Sequence, residues 1–142
     1  MPAHLLAQYE HELHLALVHL KYSAAKVECL PCQDLDEESL ETWESFTARF
    51  ARVVDLFSTR YLRARVHMDD PGFNGTLRDF VDYAEKLKLV NSADRMMKAR
   101  GLRNSVAHEY GPADFAHFLE RVRSESRWLL AELESFLGAN PP

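Results

Sequence analysis

Between Arg100 and Pro112 the chain reads R-G-L-R-N-S-V-A-H-E-Y-G-P. Arg103, Asn104, His108 and Tyr110 crowd into eight positions, with Arg100 one helical turn ahead. Core packing needs none of these polar groups. Together they suit the cleavage of RNA without a metal, in which the substrate's own 2′-OH attacks the neighbouring phosphate. That reaction needs a group that takes and returns a proton near neutral pH, which is the chemistry of histidine. It also needs positive charge and fixed donors on the crowded phosphorane, which a guanidinium supplies. Asn104 can hold a phosphate oxygen or orient His108.

If a helix runs through this segment, Arg100, Asn104 and His108 share one face at successive steps of four. Arg103, Val106 and Tyr110 then form a neighbouring stripe. Arg103 and His108 lie about 140° apart around the axis. A long Arg103 side chain can swing toward the groove between the stripes. A second copy of the helix, packed antiparallel about a two-fold axis, would set two arginines and two histidines around one cleft. The plainer alternative is that Arg and His near a helix C-terminus simply suit the dipole, and that Asn is a common late-helix residue. Spacing alone leaves both open.

The elements that must position these groups are helices. Leu6, Tyr9, Leu13, Leu17, Leu20, Ala24 and Val27 fall at helical spacing on a first helix. Pro31 and D-L-D-E-E-S end it and start a second, with acids favoured at a helix start. Trp43, Phe46, Phe50, Val53, Val54, Phe57 and Tyr61 mark that long second helix, and M-D-D-P-G-F-N-G breaks it. Thr76 reads as the N-cap of a third helix carrying Leu77, Phe80, Val81, Ala84 and Leu87. Ser92 reads as the cap of a fourth, with Met96, Met97, Leu102 and Val106, expected to continue to Gly111. Pro112 suits the first turn of a fifth helix holding Phe115, Phe118, Leu119, Val122, Leu129, Leu130, Leu133 and Phe136. The closing G-A-N-P-P reads as a frayed tail. The expected fold is all-α, an antiparallel bundle of four to five helices in one domain spanning 1–142.

Composition narrows the function. The net charge of −5 argues against a protein that coats nucleic acid by bulk charge. The charge is uneven, however. Residues 60–103 hold ten basic and six acidic side chains, a balance of +4, and the remainder carries −9. A local basic patch on an acidic body suits a phosphate or a short stretch of RNA. No apolar run reaches the roughly 18 residues of a membrane span. The N-terminus lacks the pattern of a signal peptide, so a cytoplasmic location is expected. Cys29 and Cys32 stand alone as C-L-P-C, without the second pair a zinc site needs, and read as reduced thiols in a turn. His4, His11, His14 and His19 carry no H-E-x-x-H frame and read as surface or interface histidines. No cofactor is expected.

R-N-S-V-A-H-E-Y matches the R-N-x-x-x-H-x-Y signature of the HEPN superfamily, and within it resembles the HepT-like toxin subunits. W-E-S-F-T-A-R-F-A-R-V-V-D, G-T-L-R-D-F and A-E-K-L-K-L-V are also similar to this family, so the resemblance covers roughly residues 40–110. It implies a homodimeric helical ribonuclease toxin, encoded beside a minimal nucleotidyltransferase that acts as antitoxin. By position it makes Arg103 and His108 catalytic, with Asn104 supporting them and Arg100 adding an RNA contact. It makes Tyr110 the residue that the antitoxin modifies with AMP. Near a helix end, Tyr110 would project its hydroxyl into solvent beside the cleft. The alternative function is a non-catalytic helical subunit that partners a nucleotidyltransferase. Such a subunit has no need of both Arg103 and His108.

Overall fold

The computed structural model describes residues 3–106, 108 and 110–139. Its elements are α1 (Ala3–Val27), α2 (Glu37–Asp55), a π-helical turn (Leu56–Tyr61), α3 (Leu62–Asp69), α4 (Leu77–Lys86), α5 (Ala93–Asn104) and α6 (Pro112–Ala139). No strand occurs among the described residues. α2, the π turn and α3 follow one another without a break, so the long second helix expected from the apolar stripe is present but widened in its middle.

The stripes face one core. Trp43, Phe46, Phe50, Val53, Val54, Phe57 and Tyr61 are buried together with Leu13, Leu17, Leu20 and Val27 of α1 and Leu119, Val122, Leu129 and Leu133 of α6. Side-chain pairs show the directions. Arg49 reaches Ser23 and the His19 carbonyl, and Arg60 reaches Glu12, so α2 climbs as α1 descends. Lys21 meets Glu134 and Glu28 meets Arg127, which sets α6 antiparallel to α1. α5 packs against α2, α4 and α6. The bundle is therefore all-helical with antiparallel neighbours, as short connections favour.

Caps account for several helix starts. Asp36 accepts from the Ser39 N–H and opens α2. Thr76 and Asp79 form a reciprocal capping box at α4. A Cβ at Gly75 would stand 2.6 Å from the Asp79 carboxylate, so only glycine fits ahead of that box. Ser92 accepts from the Arg95 N–H and opens α5.

Two helix ends depart from the sequence reading. α5 stops at Asn104 instead of continuing to Gly111. Its last turn tightens, with the N–H groups of Ser105, Val106 and His108 donating to the carbonyls three residues back. Asn104, Ser105 and β-branched Val106 are weak helix formers. Beyond them Tyr110 stacks on Phe118 of α6, with centroids 5.1 Å apart, so tertiary packing governs this stretch. At the other end, α6 runs through Gly138 to Ala139, where a frayed tail was expected. The remainder of that expected tail, residues 140–142, lies outside the described residues.

Candidate active site

The site begins at the junction of α2 and the π turn. Asp55 closes α2 amid V-V-D-L-F, four apolar residues that are all buried. The π turn widens the helix there, and the Leu62 N–H reaches five residues back to the Phe57 carbonyl. Ser58 donates its hydroxyl to the Val54 carbonyl at 2.6 Å, and Thr59 donates to that of Asp55 at 2.6 Å. These hydroxyls serve carbonyls around the widened turn. π turns of this kind recur at functional sites.

Across the interface, α5 presents Arg100 and Arg103, one turn apart. Arg103 donates from Nε and Nη2 to the two Asp55 oxygens, each at 2.7 Å. Arg100 donates from Nη1 to Asp55 Oδ1. This is a bidentate, charge-assisted pair with a second guanidinium on the same carboxylate. Partial burial pushes the Asp55 carboxyl up. The hydrogen bonds and charges of Arg103 and Arg100 outweigh that and hold it below the usual carboxylate range. The same hydrogen bond raises the Arg103 guanidinium above its ordinary value. Two cations on one anion leave the cluster positive. Of the five N–H donors on Arg103, two bind Asp55 and three meet no partner among the described residues.

The cluster opens into a groove of about 610 Å³, lined by Ala48, Ala51 and Arg52 of α2, Thr59 and Arg60 of the π turn, and Val106. Among the described residues, four arginines and a single acid line it. Asp55, Arg52 and Arg60 were not singled out in the sequence. The signal for Asp55 was an acid inside a buried apolar run, which calls for a cation without saying which one.

The other expected residues are placed less tightly. Asn104 is the last residue of α5 and is exposed. His108 lies beyond the helix, exposed, with its N–H on the Ser105 carbonyl at 3.1 Å. Asn104 and His108 therefore do not share a helix face. Ala107 and Glu109, the neighbours of His108, lie outside the described residues. No contact joins Arg103 to His108 within one chain among the described residues. The rings of His108 and Tyr110 lie 6.3 Å apart. Tyr110 is half-buried rather than projecting, and its hydroxyl donates to the Ser105 carbonyl at 3.4 Å.

The aromatic side chains are largely taken up inside the bundle. Of the fifteen aromatic residues, only Tyr22 is exposed; with Leu15, Val18 and Met68 it completes the set of exposed large apolar side chains among the described residues. Cys29 and Cys32 are free thiols in the turn after α1. Among the described residues no helix is long and apolar enough to cross a membrane. No family model, curated protein or solved structure matches the chain.

Proposed function

We propose that this chain is a metal-independent endoribonuclease of a toxin–antitoxin pair, active as a homodimer. The observation that carries the reading is Arg103, fixed by Asp55 with donors left over, at an arginine-lined groove beside the turn that bears His108. An arginine held on one side and open on the other is preorganised for a phosphate. In the reaction, the substrate 2′-oxygen forms a bond to phosphorus and its proton passes to His108. The bond from phosphorus to the 5′-oxygen breaks, and that oxygen takes a proton from His108 of the partner subunit. Arg103 donates to the non-bridging oxygens as charge builds on them. The products are a 2′,3′-cyclic phosphate and a free 5′-hydroxyl. Two-fold pairing through the C-terminal turns of α5 supplies the second histidine.

A nucleotidyltransferase partner silences the enzyme at Tyr110. The phenolic oxygen attacks the α-phosphorus of ATP, pyrophosphate leaves, and the phenolic proton goes to a base on the transferase. The added group is bulky and anionic beside Arg103 and His108, so it opposes RNA by sterics and by charge. A location in the cytoplasm, where RNA and ATP are plentiful, belongs to the same reading.

The test is cleavage of a defined RNA by the purified protein in a chelator, with product ends assigned by mass spectrometry. Cyclic phosphate ends and a dimer by sedimentation are expected. Loss of cutting in the chelator, or a monomer at micromolar concentration that still cuts, overturns the mechanism.

A further inference from the structure

The groove beside Arg103 is longer than one phosphate requires. Arg52 and Arg60 are eight residues apart on the unbroken run from α2 into the π turn. At about 1.5 Å per residue they stand roughly 12 Å apart along the axis. Asp55, with Arg100 and Arg103 bound to it, lies between them. Ala48, Ala51 and Val106 contribute only small side chains to the lining. Arg52 is exposed and meets no carboxylate among the described residues. Arg60 is 56% exposed and 3.5 Å from Glu12, a loose surface pair that contributes little by itself. No aromatic ring lines the groove among the described residues, so it holds no aromatic platform for a base.

We propose that this groove is a phosphate track for single-stranded RNA, in which Arg52 and Arg60 hold the phosphates on either side of the one that Arg103 contacts. The assignment rests on the endoribonuclease reading for its ligand and deepens it with two binding residues. The span suits three successive phosphates at about 6 Å each, a strand stretched beyond the 3.4 Å per nucleotide of a stacked duplex. Guanidiniums without base-stacking partners position a backbone and carry no sequence information. The track therefore recognises RNA by charge spacing and tolerates any sequence. A chain of net charge −5 confines its attraction for polyanions to this one face.

The experiment measures binding of a labelled 12-nucleotide single strand by fluorescence anisotropy between roughly 50 and 200 mM salt. The full chain is used with His108→Ala, so that the probe stays intact. Each phosphate neutralised on a single strand contributes about −0.7 to the slope of log affinity against log salt. Arg52→Gln and Arg60→Gln should each make that slope shallower by about 0.7, and the pair by about 1.4. Arg52→Lys and Arg60→Lys should restore most of it. A DNA strand of the same sequence should show the same slopes, since the track touches no 2′-OH. Uridine monophosphate should bind equally to wild type and both Gln variants. Unchanged slopes in the two Gln variants overturn the track. A Gln effect as large on the mononucleotide as on the 12-mer also overturns it, making the groove a nucleotide pocket. If the strand binds with the expected slopes but wild type never cuts RNA, the nuclease reading falls and the track stands. If wild type cuts and the slopes ignore Arg52 and Arg60, the track falls and the nuclease stands.

Discussion

Arg103 and Arg123 both meet a carboxylate, and there the likeness ends. The Arg123 side chain, on α6, is 13% exposed. Its Nη1 donates to the Val27 and Leu30 carbonyls at 3.0 and 3.1 Å, and its Nη2 to Glu120 and to Cys32 Sγ. Its guanidinium also lies 5.3 Å from the Trp43 ring centroid. It caps the C-terminal end of α1 and ties it to α6, where a cation suits the dipole. Arg103 is 34% exposed, and among the described residues both of its side-chain hydrogen bonds go to one partner, Asp55. The structural Arg123 is enclosed and spends both Nη groups on its own chain, while its buried Nε meets no acceptor among the described residues. Arg103 is gripped from behind by Asp55 and left partly exposed in front. Cys32 shares the closed character of the first region. Burial pushes its thiol up and the Glu120 hydrogen bond adds to this, despite the nearby Arg123 cation. A thiol held protonated is a poor nucleophile.

The contrast is broken most directly at the open site. His108→Ala should slow RNA cleavage by about 10²–10⁴-fold, the usual scale of a lost proton-transfer group. Arg103→Ala should cost about 10²–10³-fold, like the loss of one oxyanion donor. Thermal melting should move little for His108→Ala, because its side chain is exposed. If both variants cut at the wild-type rate in a single-turnover assay, the open arginine is not a catalytic one. At the closed site the effect should fall on stability. Arg123→Ala strands two backbone carbonyls and should cost about 3 kcal/mol, a drop in melting temperature of roughly 10 °C. Below that melting point, cleavage per folded molecule should stay at the wild-type level. Equal loss of activity and stability in both variants would erase the distinction.

The closed region was more legible in sequence than the open one. Trp43, Phe46, Phe50 and Val53 recur at helical spacing because burial imposes a period, and Thr76 and Ser92 mark helix starts because their hydroxyls satisfy orphan N–H groups. The π turn left no mark, since its residues L-F-S-T-R-Y keep the apolar period on both sides. The end of α5 was misplaced because Val106 extends the stripe, while the stacking of Tyr110 on Phe118 is a long-range fact. The motif offers Arg103 and His108 as candidates. It could not point to Asp55, which is 48 residues upstream of Arg103 and joins it only through packing of α2 on α5.

Asp55 offers a smaller and sharper test of how the open arginine is gripped. Asp55→Asn keeps one acceptor oxygen and removes the charge that orients both guanidiniums. Activity should fall by roughly 10–100-fold, the scale of a slightly misplaced catalytic group. The pH dependence follows from the depressed carboxyl. Its stabilising contribution is complete above the unfolded value of 3.8 and is lost as pH falls through the lower folded value. The melting temperatures of wild type and Asp55→Asn should thus differ by a constant amount near neutrality and converge on acidification below 3.8. A gap that does not narrow in acid would show that the Asp55 charge does not hold the cluster.

Tyr110 stands between the two regions and should show the smallest effect of all. Its ring belongs to the closed part, stacked on Phe118, while its hydroxyl faces the turn of His108 with a long bond to the Ser105 carbonyl. At 3.4 Å that bond is at the weak limit of hydrogen bonding. Phe in its place keeps the stack and loses only the hydroxyl, so Tyr110→Phe should change stability by less than about 0.5 kcal/mol and leave cleavage unchanged. On the proposed reading, the weakness of the bond leaves the oxygen free to accept AMP. Its hydrogen can rotate away from the Ser105 carbonyl at little cost, and the ring stays stacked. Incubation with the partner nucleotidyltransferase and ATP should then add one AMP to wild type, on Tyr110 by mass spectrometry, and stop cleavage. The Phe variant should stay unmodified and active. Modification and silencing of the Phe variant would move the regulatory site elsewhere and leave Tyr110 as a packing residue of the closed region.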